Sequence, residues 1–150
     1  MLAPGDPLPD LELLASDGRR VRLHDCFGQR ALVLYFYPKD HTFGCTAESC
    51  DFRDQYQQFL MLGAQIVGIS KDGLESHQSF VQRHQLPFLL LSDPDSFAHV
   101  TFGVKRVLGV FPARVTFVAT RPGTIQFVYR SELAFRAHAS QALAALRAQP

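Results

Sequence analysis

A mixed α/β sheet flanked by helices, with an extra β-hairpin at the N-terminus, is the fold class that this sequence predicts. Three observations lead there. The run Ala31-Leu-Val-Leu-Tyr-Phe-Tyr37 is apolar throughout and stops at a proline, as a strand buried on both faces does. Similar apolar runs then alternate with amphipathic stretches at helical spacing. Two further strand-like runs and an alanine-rich helix close the chain.

The elements follow in order. Leu11-Glu-Leu-Leu14 and Val21-Arg-Leu23 flank the turn signal Ser16-Asp-Gly18 and read as a hairpin. After the strand at 31–37, residues 47–62 carry Phe52, Tyr56, Phe59 and Leu60 at helical spacing, and Gly63 closes that helix. Residues 65–69 form a second buried strand, 75–84 a helix, and Leu89-Leu-Leu91 a short third strand. Asp93-Pro-Asp-Ser96 caps a short helix that runs through Phe102. Strands at 115–119 and 124–129 are joined through Arg121-Pro-Gly123. The helix at 134–148 presents Phe135, Ala139, Ala142, Leu143 and Leu146 on one face. This succession is that of a thioredoxin-like fold behind an extra hairpin, and the 150 residues read as one domain.

Composition narrows the function classes. At 47% hydrophobic and 19% charged, the chain has enough apolar surface to fold, and 13 Phe with no Trp point to a phenylalanine-rich interior. The formal charge of +1 comes without any concentrated basic stripe, so nucleic acid is not an expected partner. No apolar run approaches the roughly 18 residues of a membrane span. The N-terminal residues lack the pattern of a signal peptide, and three cysteines are too few for a disulfide scaffold. A cytoplasmic protein with functional cysteines is expected, with export on a removed leader as the alternative.

The chemistry is concentrated in Pro38-Lys-Asp-His-Thr42-Phe-Gly-Cys45-Thr-Ala-Glu48-Ser-Cys50, directly after the central strand. The spacing predicts a turn that brings Thr42 close to Cys45, with a helix starting at the cysteine. Helix starts carry unpaired N–H groups and a positive dipole end, both of which favour a thiolate. Such a placement suits peroxide reduction.

With these residues the sequence resembles the peroxiredoxins, specifically the bacterioferritin comigratory protein or Q-type subfamily. The likeness also rests on Phe52-Arg-Asp54, Gly63-Ala-x-Ile-Val-Gly-Ile-Ser70, Leu91-Ser-Asp93 and Arg114-x-Thr-Phe117, and it runs from about Gly5 into the last helix. The resemblance implies a thioredoxin-like fold and reduction of hydrogen peroxide and organic hydroperoxides without metal or cofactor. It also implies recycling by thioredoxin or a glutaredoxin-like dithiol reductant. It assigns Cys45 as the attacking cysteine and Cys50 as the resolving one. Pro38, Thr42 and Arg114 become the remaining active-site residues, and Glu48 an acid supporting the arginine. A monomer is expected.

The chemistry explains why such residues are needed. An ordinary thiol, with a pKa near 8.5, is mostly protonated at neutral pH. A nearby permanent cation (Arg114), a helix start and the Thr42 hydroxyl would all favour the thiolate. Stabilising charge on the leaving oxygen is the larger gain, with Thr42, Arg114 and the N–H groups of 43–45 as candidate donors. Pro38, with no N–H and a rigid ring, would shield the sulfur from water. The sulfenic acid formed at Cys45 would condense with Cys50. Five residues of ideal helix separate their Cα atoms by roughly 8.7 Å, whereas a disulfide needs them within about 7 Å. The helix is therefore expected to unwind locally in each cycle.

The same residues admit other readings. Cys26 matches no catalytic position and reads as a buried hydrophobe. His41 reads as a solvated loop residue, and His41, Cys45 and Cys50 lack the spacing and fourth ligand of a zinc site. Phe43 replaces the proline usual in the subfamily, which predicts altered local dynamics unless its ring pins the turn. Phe43 and Phe111 together would favour bulky organic hydroperoxides. A peroxide sensor using the same disulfide is the rival class. A general thiol–disulfide oxidoreductase is weakened by the absence of Cys-x-x-Cys.

Overall fold

The computed structural model describes residues 1–104, 106–107 and 111–149, the pairs 106–107 and 111–112 by backbone alone. In chain order the elements are β1 (Glu12–Ala15), β2 (Arg20–Arg22), a 3-10 turn (Leu23–Cys26), β3 (Ala31–Phe36), α1 (Phe43–Asp54) and α2 (Tyr56–Met61). Then come β4 (Ala64–Ser70), α3 (Leu74–His84), β5 (Leu89–Ser92), α4 (Phe97–Phe102), β6 (Arg106–Val107) and β7 (Phe111–Pro112). Finally β8 (Val115–Thr120), β9 (Thr124–Arg130) and α5 (Ala137–Arg147) complete the fold. Seven strands form one sheet in the order β2-β1-β5-β4-β3-β8-β9. β3, β4 and β5 run parallel, and the hairpins β1–β2 and β8–β9 are added antiparallel on the two sides.

The two faces of β3 follow the strand's period of two. Val33, Tyr35 and Tyr37 face one core with Phe52 of α1, Phe59 of α2, Phe80 of α3 and Leu143 of α5. Leu32, Leu34 and Phe36 face the other with Phe102 of α4, Phe117 of β8 and Leu23. Each fully buried phenylalanine contributes about 2 kcal/mol by removal from water. Tyr35 stacks on Phe52 with ring centroids 4.5 Å apart, which fixes α1 across the C-terminal end of β3.

Three expectations are corrected. The helix expected over 47–62 is two helices, bent at Gln55 (φ −102°, ψ 8°), and both Phe52 and Phe59 reach the core, their rings 5.7 Å apart. Its start is Phe43, two residues before the cysteine. The cap expected from the Asp93–Ser96 segment is present, and Asp93 provides it: its carboxylate accepts from the N–H groups of Ala98 and His99 at 2.9 Å each. Ser96, at φ 62°, makes no capping bond. Lastly, α5 begins at Ala137, so Phe135 is not on its apolar face but in the loop before it.

Candidate active site

The parallel strand β3 ends at Phe36, and the chain crosses Tyr37 and Pro38 before turning into α1. That crossing is fastened from several sides. The Tyr37 hydroxyl donates to Asp40 Oδ1 at 2.5 Å, the Ser76 hydroxyl donates to Asp40 Oδ2 at 2.9 Å, and His77 Nδ1 lies 2.7 Å from the same oxygen. The Asp40 N–H donates to Asp72. Asp40, Asp72 and His77 form a compact acid–imidazole group, in which both Asp40 oxygens and Asp72 Oδ2 are engaged by protein donors. It works as an anchor for the loop, and no metal is assigned to it.

This anchored loop sets Cys45 in the first turn of α1. Cys45 is 1% exposed. The Lys39 N–H donates to its sulfur at 3.4 Å and Arg114 Nη1 at 3.5 Å. The first backbone bond of α1 runs from the Thr46 N–H to the Thr42 carbonyl, so the preceding N–H groups are left to the site. Arg114 arrives from the residue before β8, and its position is fixed by three contacts. Nη1 also donates to Glu48 Oε1 at 2.7 Å, Nε donates to the Glu132 carbonyl at 3.2 Å, and the guanidinium carbon lies 5.2 Å from the centre of the Phe135 ring. The position of Gly44 has a steric reason: a Cβ there would come within 2.7 Å of Phe135 Cε1.

Burial governs the titratable groups. Glu48 is fully buried, and desolvation pushes its carboxyl up to about 8 against the pull of Arg114. Desolvation opposes the Arg114 cation, but Glu48 and Cys45 more than offset it, so its pKa is raised. His138, at the start of α5, lies with Nδ1 3.5 Å from Glu48 Oε2, and burial lowers it to about 4.

The AhpC/TSA family model matches residues 4–128. The chloroplastic peroxiredoxin Q of Sedum lineare is 40% identical over 144 residues, covering 95% of this chain and 77% of that protein. Peroxidoxin BcpB from Mycobacterium tuberculosis superposes with a TM-score of 0.93 at 37% identity, over 100% of this chain and 99% of the other. The bacterioferritin comigratory protein of Xanthomonas campestris gives 0.85 at 34% identity, over 95% and 98%. The chain belongs to the AhpC/TSA family as a Q-type peroxiredoxin.

Of the predicted site residues, the peroxiredoxin fold has Arg114 bonding both Cys45 and Glu48, and Pro38 is half-buried one residue before the Lys39 N–H that donates to the sulfur. Thr42 is exposed and does not bond the sulfur: its hydroxyl donates to the Lys39 carbonyl at 2.7 Å. That corrects the expectation of a Thr42 donor to the thiolate. Cys50 stands on the other side of α1, on a groove of about 420 Å³ that also includes His41, Phe43, Arg83 and Arg136. Burial raises its pKa, so its thiol is less acidic than usual. His41 is exposed, with its ring edge-on to Phe80. Phe43 is 80% exposed and touches Phe135 edge-on with centroids 6.1 Å apart, while the side chain of Phe111 lies outside the described residues.

Cys26 borders a larger groove of about 740 Å³ beside the β1–β2 hairpin that contains none of the predicted site residues. Its thiol donates to the Arg22 carbonyl, and burial pushes its pKa up to about 11. Sequence reasoning missed the Lys39 N–H, His77, Phe135 and His138. A backbone donor leaves no trace in residue identity. The histidines stand 32 and 93 positions from Cys45 in the sequence, with no local motif to tie them to it.

Proposed function

We propose that this thiol-dependent peroxidase works through Cys45 as the attacking thiolate and Cys50 as the resolving thiol. The observation that carries the reading is a buried sulfur held between the Arg114 guanidinium and the Lys39 N–H in the first turn of a helix. A thiolate there has two donors, one of them a cation, in a site shielded from water, which strengthens both interactions. Attack on R–O–OH forms the S–O bond and breaks the O–O bond, and the alkoxide or hydroxide leaves. Arg114 is positioned to stabilise that developing charge. Thr42 acts in the opposite sense. Because its proton is committed to the Lys39 carbonyl, its lone pairs are free to accept from the peroxide hydroxyl and orient it. Pro38 shields the sulfur from water.

The sulfenic acid then meets Cys50. Both cysteines belong to the continuous helix α1, so the disulfide requires its first turns to unwind. Thioredoxin or a glutaredoxin-like dithiol restores both thiols. Hydrogen peroxide and organic hydroperoxides are the substrates. The Xanthomonas campestris relative is described for alkyl peroxide reduction, and the exposed Phe43 and Phe135 edge beside the site suits an alkyl group. A monomer in the reducing cytoplasm completes the reading, supported by a low and odd cysteine count.

The deciding test is NADPH-coupled peroxide consumption with thioredoxin and its reductase. Cys45→Ser is expected to lose all turnover, Cys50→Ser to stall after one equivalent of peroxide, and Cys26→Ser to turn over like wild type. Sustained cycling by Cys50→Ser would transfer resolution to another thiol. An inert wild type with every dithiol would overturn the enzyme assignment.

A further inference from the structure

Behind Arg114 lie three polar groups that peroxide attack itself does not use: Glu48, His138 and Thr116. The hydrogen bonds fix the state of the imidazole. His138 Nε2 faces the Ser131 carbonyl at 2.9 Å, and a carbonyl only accepts, so Nε2 carries a proton. The ring is fully buried and kept neutral by that burial. Its Nδ1 lone pair therefore accepts from the Thr116 hydroxyl at 2.8 Å and faces Glu48 Oε2 across 3.5 Å. Oε2 is buried and has no hydrogen-bond partner among the described residues. An ionised carboxylate would set this bare oxygen against a nitrogen lone pair in a dry site. The single Nδ1 lone pair is taken by the Thr116 proton, so a proton on Oε2 removes the conflict by neutralising the carboxyl and not by bonding Nδ1.

Charge leads to the same place. Arg114 Nη1 is shared by Cys45 Sγ at 3.5 Å and Glu48 Oε1 at 2.7 Å. The exposures of Cys45, Glu48 and Arg114 are 1%, 0% and 5%. Asp51 on α1 opposes the Glu48 anion, Tyr35 on β3 carries a strongly raised pKa and is neutral, and Glu132 acts on His138 from the loop before α5. Arg114 is the one cation in this set, and a thiolate together with a carboxylate would leave the site with an uncompensated negative charge.

We propose that Glu48 is protonated while Cys45 is a thiolate and ionises when the sulfur is oxidised, so that one anion balances Arg114 in both states. The proposal rests on the peroxidase reading. In the attack, the thiolate is oxidised to the sulfenic acid by two electrons and the O–O bond is reduced. The leaving oxygen takes one proton from solvent, and Glu48 releases one proton to solvent. Glu48 is thus a positioning residue: it touches no substrate, but it sets how much of the Arg114 charge is available first to the sulfur and then to itself.

Proton counting tests this. Reduced full-length protein at pH 7 is mixed with one equivalent of hydrogen peroxide in weak buffer with a pH indicator, after thiolate absorbance has been recorded. Wild type is expected to show a thiolate and no net proton exchange, and Glu48→Gln to take up one proton per sulfur oxidised. Uptake of one proton by wild type would overturn the proposal. So would a wild-type sulfur that is not ionised, or a thiolate-bearing Glu48→Gln that exchanges none. Should the variant fail to fold, infrared difference spectra of wild type decide: a protonated-carboxyl band lost on oxidation supports the proposal, and its persistence overturns it. A wild type that does not react with peroxide at all would instead overturn the peroxidase reading.

Discussion

Thr42 shows how a hydrogen bond's direction sets a residue's role. Residue type and spacing suggested a donor to the sulfur, but the hydroxyl proton points at the Lys39 carbonyl. In the proposed mechanism Thr42 therefore serves as an acceptor. Thr42→Val, which keeps the shape and removes the oxygen, is expected to lower kcat/KM for hydrogen peroxide by about 100-fold, the cost of one well-placed polar group in a transition state. Thr42→Ser is expected to stay within about tenfold of wild type, since it keeps the oxygen. Stopped-flow oxidation of the reduced protein measures both, and equal rates for wild type and Thr42→Val would remove Thr42 from the chemistry. Cys26 shows the converse. With a thiol pushed up to about 11, only roughly one molecule in ten thousand carries the thiolate at pH 7, so burial makes it inert.

The element under greatest functional demand is α1. Its middle is tied to the core by the Arg114–Glu48 contact, by a 2.9 Å bond between the Tyr35 and Ser49 hydroxyls, and by Phe52 on Tyr35. Its start is held less firmly. Thr42 makes no side-chain cap, the first turn has no acidic residue, and Phe43 is largely in solvent. Unwinding is therefore expected to begin at the N-terminal end. Phe43 is the first helical residue, its N–H has no acceptor among the described residues, and Thr42 at φ −93°, ψ 156° already has the backbone that precedes a proline. Phe43→Pro should fit without strain and stabilise the helix start by about 0.4–1 kcal/mol. Disulfide formation after peroxide is then expected to slow about two- to fivefold. Equal rates in rapid-quench measurements would show that this turn does not limit unwinding.

At the scale of the whole molecule, two buried groups shape stability against pH. Glu48 is raised from 4.5 to about 8, so the folded chain keeps a proton that the unfolded chain releases between those values. Its contribution is present below pH 4.5 and is lost as pH rises through 8. His138 is lowered from 6.5 to about 4, so its contribution is present above pH 6.5 and is lost as pH falls through 4. Their slopes oppose one another between 4.5 and 6.5 and leave Glu48 acting alone above that. Urea unfolding of the reduced protein is expected to show stability falling by about 2 kcal/mol from pH 6.5 to 8. Glu48→Gln should flatten that fall, and an unchanged slope would show that Glu48 ionises normally in the folded chain.

The sequence by itself determined the alternation of strands and helices, because binary pattern and turn residues act over a few positions. It also determined the cysteine at a helix start, because Thr42 to Cys50 is a local motif. Arg114 was legible only through family resemblance, since a cation in a strand context would ordinarily face water. Tertiary structure decided what depends on distant segments meeting. The return of β8 beside β3 puts Arg114 on Cys45, 69 positions away in sequence. The loop before α5 lays Phe135 over Gly44, and α5 brings His138 to Glu48. The protonation state of Glu48 belongs to this second class, because desolvation and the direction of a lone pair depend on how the chain packs, and a sequence pattern carries neither.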